Sequence, residues 1–236
     1  MISILGRLFM LAALAACSMG AVSAFAAGSR KSEQALRFAR WMVWVFFVSV
    51  TCAVGVMEYA LLYPDFSVSY VAEVGSHALP TWVQVVSLWS SLNGSILLWA
   101  FILAIYTLGM QLHIQRRFPA YEPWAIGVLL SVAVFFCFLV SGVADPFEPT
   151  TKEDIANLIA IWEASNPGQS GVDADGLPVD GTGPNPLLQN HVLMIIHPPM
   201  LYLGYVGMSV PFALACAGLL GDDWMRPGDA SCAPGF

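Results

Sequence analysis

The run Pro123-Trp124-Ala125-Ile126-Gly127-Val128-Leu129-Leu130-Ser131-Val132-Ala133-Val134-Phe135-Phe136-Cys137-Phe138-Leu139-Val140-Ser141-Gly142-Val143-Ala144 contains no charged side chain. Its length matches the ~20 apolar residues that carry a helix across a bilayer. Hydrocarbon offers no water to backbone N–H and C=O groups, so such a run must satisfy them internally as a helix. Four further segments have the same character: about 2–27, 41–63, 93–113 and 191–221. The chain of 236 residues is 58% apolar and 11% charged, a composition foreign to soluble domains. The sequence predicts an all-α fold, a polytopic integral membrane bundle of about five transmembrane helices over residues 1–221. Residues 222–236 are expected to form a short cytoplasmic tail.

Basic residues set the expected orientation. Arg30, Lys31, Arg37 and Arg40 lie between the first two spans, Arg116 and Arg117 between the third and fourth, and Arg226 after the fifth. These seven of the nine basic residues fall on one side, leaving Lys152 in a loop on the other and Arg7 near the start of the first span. The amino terminus is therefore expected outside and the carboxyl terminus in the cytoplasm. The outer loops, 64–92 and 145–190, are long and acidic, the second carrying Asp145, Glu148, Glu153, Asp154, Glu163, Asp173, Asp175 and Asp180. Within it, 166–186 is rich in Gly, Pro and Asp and should be irregular. Asn185-Pro186 reads as an N-cap followed by proline at the first helical position, opening a helical lead-in over Pro186–Ile196.

The first span also resembles a secretory signal, with Arg7, an apolar stretch and Ala24-Phe25-Ala26, and Leu14-Ala15-Ala16-Cys17 resembles a lipoprotein cleavage box. Cleavage would leave the Arg30–Arg40 cluster outside, against the positive-inside bias, so a retained span is expected. Of five cysteines, Cys17, Cys52, Cys137 and Cys216 lie in apolar runs as small packing residues; Cys232 lies in the tail. With no Cys-x-x-Cys pair, a zinc or dithiol motif is not indicated. The net charge of −7 offers no surface for nucleic acid. No Gly-x-Ser-x-Gly, His-Glu-x-x-His or phosphate loop is present.

The chemistry-bearing stretch is Ile196-His197-Pro198-Pro199-Met200-Leu201-Tyr202-Leu203-Gly204-Tyr205-Val206-Gly207. Both prolines lack an N–H, so the carbonyls four residues back lose their helical donors. His197 precedes a proline and is biased away from helical φ and ψ, which predicts a kink there. An ionisable group in such a run is a functional candidate. Residue types alone leave two readings open. His197 is an axial ligand to haem or another metal, or its ring bonds a carbonyl that the prolines free. His191, six positions earlier, is about 120° away on a regular helix and cannot join His197 on one haem, so a second ligand would come from another helix.

Other candidates have blander readings. Trp82 and Trp89, seven apart, suit an interfacial aromatic belt or the face of a surface helix. Asn93-Gly94-Ser95 suits a break before the third span. Glu58 suits a residue snorkelling from the second span or paired in the bundle. His77 sits in an outer loop, and His113 adjoins Arg116 and Arg117, where a headgroup contact suffices. Asp173-Ala174-Asp175-Gly176 has the opening of a calcium loop, but the remaining ligand spacing fails.

Three blocks resemble the CcmF-type haem lyases of cytochrome c maturation. They are Asp65–Ala72 with Ala78-Leu79-Pro80, then Leu88-Trp89-Ser90-Ser91-Leu92-Asn93-Gly94-Ser95-Ile96-Leu97-Leu98-Trp99, then Asn185–Asn190 running into His197–Gly207. The resemblance implies that His197 is an axial ligand of a b-type haem whose second ligand lies outside this chain. It implies thioether formation between haem vinyls and the Cys-x-x-Cys-His thiols of an apocytochrome c on the outer side. The implied partners are the haem chaperone CcmE, a CcmH-type thiol protein, apocytochrome c, the rest of the lyase and the lipid bilayer. The implied location is the bacterial inner membrane, or the mitochondrial inner membrane if the chain is organellar. The family usually has Glu where Asn93 stands. Its tryptophan-rich WWD region, the flanking outer histidines and the second membrane haem ligand follow the His-Pro-Pro helix, and the tail Asp222–Phe236 resembles none of them. A fragment or a subunit of a split lyase, inactive in ligation alone, is the expectation. The alternatives are a non-catalytic membrane subunit of an ion- or proton-translocating complex, disfavoured by the near absence of ionisable residues at the centres of the third, fourth and fifth spans, and an assembly scaffold without haem.

Overall fold

The computed structural model describes residues 1–185 and 191–221. Pro186 of the predicted cap, residues 186–190 of the helical lead-in and the tail from Asp222 lie outside the described residues. Helices α1 (Ile2–Arg30), α2 (Glu33–Leu62), α5 (Leu92–Arg117) and α6 (Glu122–Ser141) are each long and apolar enough to span a membrane. The pair α8 (Leu193–Gly207) and α9 (Ser209–Leu220) forms a fifth such segment. Between them lie the short helices α3 (Ser69–Val74), α4 (Thr81–Val86) and α7 (Lys152–Ser165), with a 3₁₀ turn at Ser87–Trp89. Among the described residues there is no strand, only the isolated bridges Val68 to Pro149 and Val172 to Pro178.

The α1–α2 pair shows how the sequence sets the packing. Buried positions on α1 include Ser3, Gly6, Met10, Ala13, Cys17, Gly20, Ala24 and Ala27. Those on α2 include Leu36, Ala39, Val43, Phe46, Val50, Ala53, Met57 and Ala60. Both sets step alternately by three and four, the seam of left-handed helix packing. Lipid is as apolar as the side chains, so helix association rests on close van der Waals fit, which small residues permit. The α1 seam is mostly small, and at Gly6 a Cβ would fall 2.1 Å from the Phe147 ring. Helix α6 joins the seam through Ile126, Leu130, Ala133, Cys137 and Val140, all buried.

The helices run up and down between two ends. At the basic end, Ser32 caps α2 by accepting the Ala35 N–H, after Lys31 turns the chain through the left-handed region at φ 51°. The Arg40 guanidinium grips the fully buried Glu122 carboxylate there, with Nε and Nη2 at 2.7 and 2.6 Å. At the loop end, Arg7 pairs with Asp145 at 2.6 Å, and Ser3 Oγ donates to the Phe147 carbonyl. The partner of Arg7 accounts for a basic residue lying away from the other cations.

The two acidic loops fold onto each other over this end. Ser69 N–H donates to the Glu148 carbonyl at 2.8 Å, and Thr150 N–H to that of Ser67 at 3.0 Å. Asp180 accepts from Ser76 Oγ and from the His77 and Gly181 N–H groups, each at 2.9 Å. The stretch 166–185 has no helix or strand, and its glycines 168, 176 and 183 take positive φ. Helix α7, absent from the sequence prediction, is capped by Thr151 but buries none of its residues.

Two expected breaks lie elsewhere. Asn93, Gly94 and Ser95 are inside the first turn of α5, and the chain turns instead at Ser90–Ser91. Gly94 serves close approach: a Cβ there would fall 2.0 Å from the Leu88 carbonyl oxygen and 2.3 Å from the Tyr70 hydroxyl. The helical assignment of α8 runs through Pro198 and Pro199, and the interruption comes at Met208. The reason is an outside donor to a freed carbonyl.

Candidate functional site

Pro198 is four residues after Met194, whose carbonyl therefore has no helical donor. The indole Nε1–H of Trp89 donates to that carbonyl at 2.9 Å. Helical geometry survives the proline because the acceptor is satisfied from a neighbouring element. This also answers part of the blander reading of His197: an indole fills that freed carbonyl.

Trp89 is one of several handles on the fifth span. Tyr202 Oη donates to Ser95 Oγ at 3.1 Å, and the Tyr202 ring meets the Trp99 indole edge-on at 5.2 Å. Two turns beyond Trp99 on α5, Tyr106 Oη donates to the Leu203 carbonyl at 3.1 Å and packs beside Gly207. The block Leu88–Trp99 and the block His197–Gly207, far apart in the chain, are thus in direct contact. Beneath them Tyr70 Oη donates to the carbonyls of Ser87 and Leu88 at 2.8 and 2.9 Å. Burial pushes the Tyr70 phenol well up, so it remains a donor.

Trp82 and Trp89 do not share a face. The helix tightens to 3₁₀ at Ser87, leaving Trp82 exposed while Trp89 turns to the fifth span. His191 is exposed, and its Nδ1 accepts the Leu193 N–H at 3.2 Å, helping to start α8. His77 is exposed beside the edge of the Phe66 ring at 5.4 Å, and His113 is exposed near Arg116. Glu58 is partly buried, and its Oε2 has no hydrogen-bond partner among the described residues.

His197 is exposed, and it makes no hydrogen bond among the described residues. It is the fifth residue of α8, a rise of about 6 Å from the helix start. With Trp89 reaching Met194, the imidazole sits near the loop end rather than at mid-span. Met200, Leu201 and Gly204 continue its face and are also exposed, and a Cβ added at Gly204 would meet nothing within 4 Å. Elsewhere among the described residues, no group of three or more His, Cys, Asp and Glu could hold a metal ion. Sequence reasoning singled out His197 but missed Trp89, Tyr202 and Tyr106 as its supports. The available signal was the carbonyl that each proline orphans.

The fold and the site define a multi-pass helical membrane protein whose fifth span is held by aromatic side chains and presents an imidazole at the loop end. The model of the family described as cytochrome C assembly protein matches residues 89–227, more than half of the chain, and the chain belongs to that family. Among curated proteins it is similar to cytochrome c-type biogenesis protein CcmF of Pseudomonas aeruginosa, with 31% identity over 96% of this chain and 32% of the relative. Escherichia coli CcmF is 31% identical over 81% of this chain and 26% of its own length. A solved structure titled cytochrome c heme lyase CcmF superposes with a TM-score of 0.70 and 30% identity, covering 95% of this chain and 31% of the other. The chain therefore spans about a third of the length of the relatives it matches.

Proposed function

We propose that this chain is the amino-terminal part of a membrane haem lyase of cytochrome c maturation, and that His197 gives one axial nitrogen to a non-covalently held, b-type haem. The observation that carries this reading is an exposed imidazole with no hydrogen bond among the described residues, on a helix locked in register by Trp89, Ser95, Trp99 and Tyr106. The residue types fit a flat apolar group: Met200 and Leu201 supply soft and aliphatic contacts, and Gly204 leaves room beside them. Haem bound there would supply an iron centre that can pass an electron to the incoming haem, whose own vinyl groups form the thioethers. The protein's own contribution is orientation. Trp89 fixes the turn that bears His197, and the aromatic contacts resist rotation of α8 about its axis.

A second axial ligand would come from a segment beyond this chain. Apocytochrome c would be the acceptor, a CcmE-type chaperone the haem donor, and a CcmH-type protein the thiol partner. The expected setting is a bacterial inner membrane with the loop end outward, since Arg30, Lys31, Arg37, Arg40, Arg116 and Arg117 all lie at the opposite end. Arg7 and Arg40 are held by Asp145 and Glu122 at span ends, which favours a structural role over a proton relay.

The test is co-expression of this chain with the part of the Pseudomonas aeruginosa relative that it does not cover, followed by purification and haem spectroscopy. His197→Gly should lose the ligand-dependent Soret band, and free imidazole should restore it. An unchanged spectrum in the variant would reject the assignment.

A further inference from the structure

At the basic end, α2 and α5 leave a cleft of about 390 Å³ lined by Arg37, Arg40, Trp41, Trp44, Gln111 and Gln115, with Leu112 at its wall. Arg40 is neutralised by Glu122. Arg37 is exposed and makes no ion pair or hydrogen bond among the described residues. Gln111 is only 2% exposed, lines this cleft, and its Oε1 has no hydrogen-bond partner among the described residues. A buried amide oxygen without a donor is costly, so the cleft calls for a ligand that brings one. The free guanidinium calls for an anion.

We propose that this cleft binds one anionic phospholipid, its phosphate at Arg37 and a headgroup hydroxyl donating to Gln111 Oε1. Two observations select a lipid over a soluble phosphate. Trp41 and Trp44 are 69% and 41% exposed beside the cleft, the placement of indoles at a membrane–water interface. From the cleft, exposed apolar residues run toward mid-span, Trp44 and Val48 on α2 and Leu112, Gly109 and Ile105 on α5. A Cβ at Gly109 would meet nothing within 4 Å, so there is open space beside α5 there. Acyl chains can lie along such an apolar strip, and a soluble anion has no use for it. Choline lipids bring no donor for Gln111. Ethanolamine lipids bring an ammonium that the unpaired Arg37 repels.

The test is native mass spectrometry of the full chain in detergent, with lipids added in equal amounts. Phosphatidylglycerol should be retained over phosphatidylcholine and phosphatidylethanolamine. Arg37→Ala should lower its retention about fivefold, the worth of one basic residue near an anionic surface. Arg116→Ala, outside the cleft, should leave it unchanged. Phosphatidylmethanol, which has the same charge but no hydroxyl donor, should bind more weakly than phosphatidylglycerol, and Gln111→Leu should erase that difference. Equal losses from Arg37→Ala and Arg116→Ala would reduce the effect to general electrostatics and overturn the site. Equal retention of the choline or ethanolamine lipid, or displacement by millimolar glycerol 3-phosphate, would overturn the anionic-lipid assignment.

Discussion

Pro198 and Trp89 form one functional unit although 109 positions separate them. The proline deletes a backbone donor, and the indole replaces it at Met194. Trp89→Phe leaves that carbonyl unsatisfied and should lower stability by about 1–2 kcal/mol. Pro198→Ala restores the helical N–H, and in that background Trp89→Phe should cost much less. Thermal unfolding in detergent, measured on the single and double variants, checks this. Equal costs in both backgrounds would show that the indole stabilises the site by packing alone. His197 was legible in the sequence because a histidine beside two prolines in an apolar run is conspicuous. Its surroundings were not, because no local pattern says which indole will reach an orphaned carbonyl.

Helix α6 is tied to its neighbours at both ends by ion pairs, Arg40–Glu122 and Arg7–Asp145, which link positions far apart in sequence. The first holds α2 against the start of α6 and encloses Glu122 fully. Arg40→Met should destabilise the bundle by about 3 kcal/mol, the low end for breaking a buried pair, because the Arg40 side chain keeps 30% of its exposure. Adding Glu122→Leu should recover most of that loss, since the buried carboxylate is then gone. Denaturant titrations of the single and double variants measure the coupling. The helices themselves were legible from uncharged runs of bilayer length. The break expected at Asn93-Gly94-Ser95 was misplaced, and the prolines of His-Pro-Pro lie inside a helix, for one reason. Glycine and proline at these sites meet packing demands, a close approach to Tyr70 and an indole donor, rather than ending a helix.

Across the molecule, charge separates the two ends of the bundle. Arg30, Lys31, Arg37, Arg40, Arg116 and Arg117 lie at one, and the folded acidic loops lie at the other. The positive-inside bias predicts Asp175 outside and Arg117 in the cytoplasm. In a cysteine-free background, Asp175→Cys should react with an impermeant maleimide on intact cells. Arg117→Cys should react only after permeabilisation. The reverse pattern would invert the topology and remove His197 from the outer face. The fifth span is the least enclosed of the five, with 22% of its most apolar window buried against 39–56% for the others. Its exposed Ile196, Met200, Leu203 and Phe212 present an apolar face to lipid or to further helices.

Local chemistry alone settles that the chain spans a membrane as helices, because backbone groups in hydrocarbon have no other way to pair. Which distant groups meet was decided by packing. The indole at Met194, the carboxylate at Arg40 and the Tyr70 hydroxyl against the turn before Gly94 each depend on the register between separate helices. Register comes from the summed fit of many side chains, and no single stretch of sequence contains that sum.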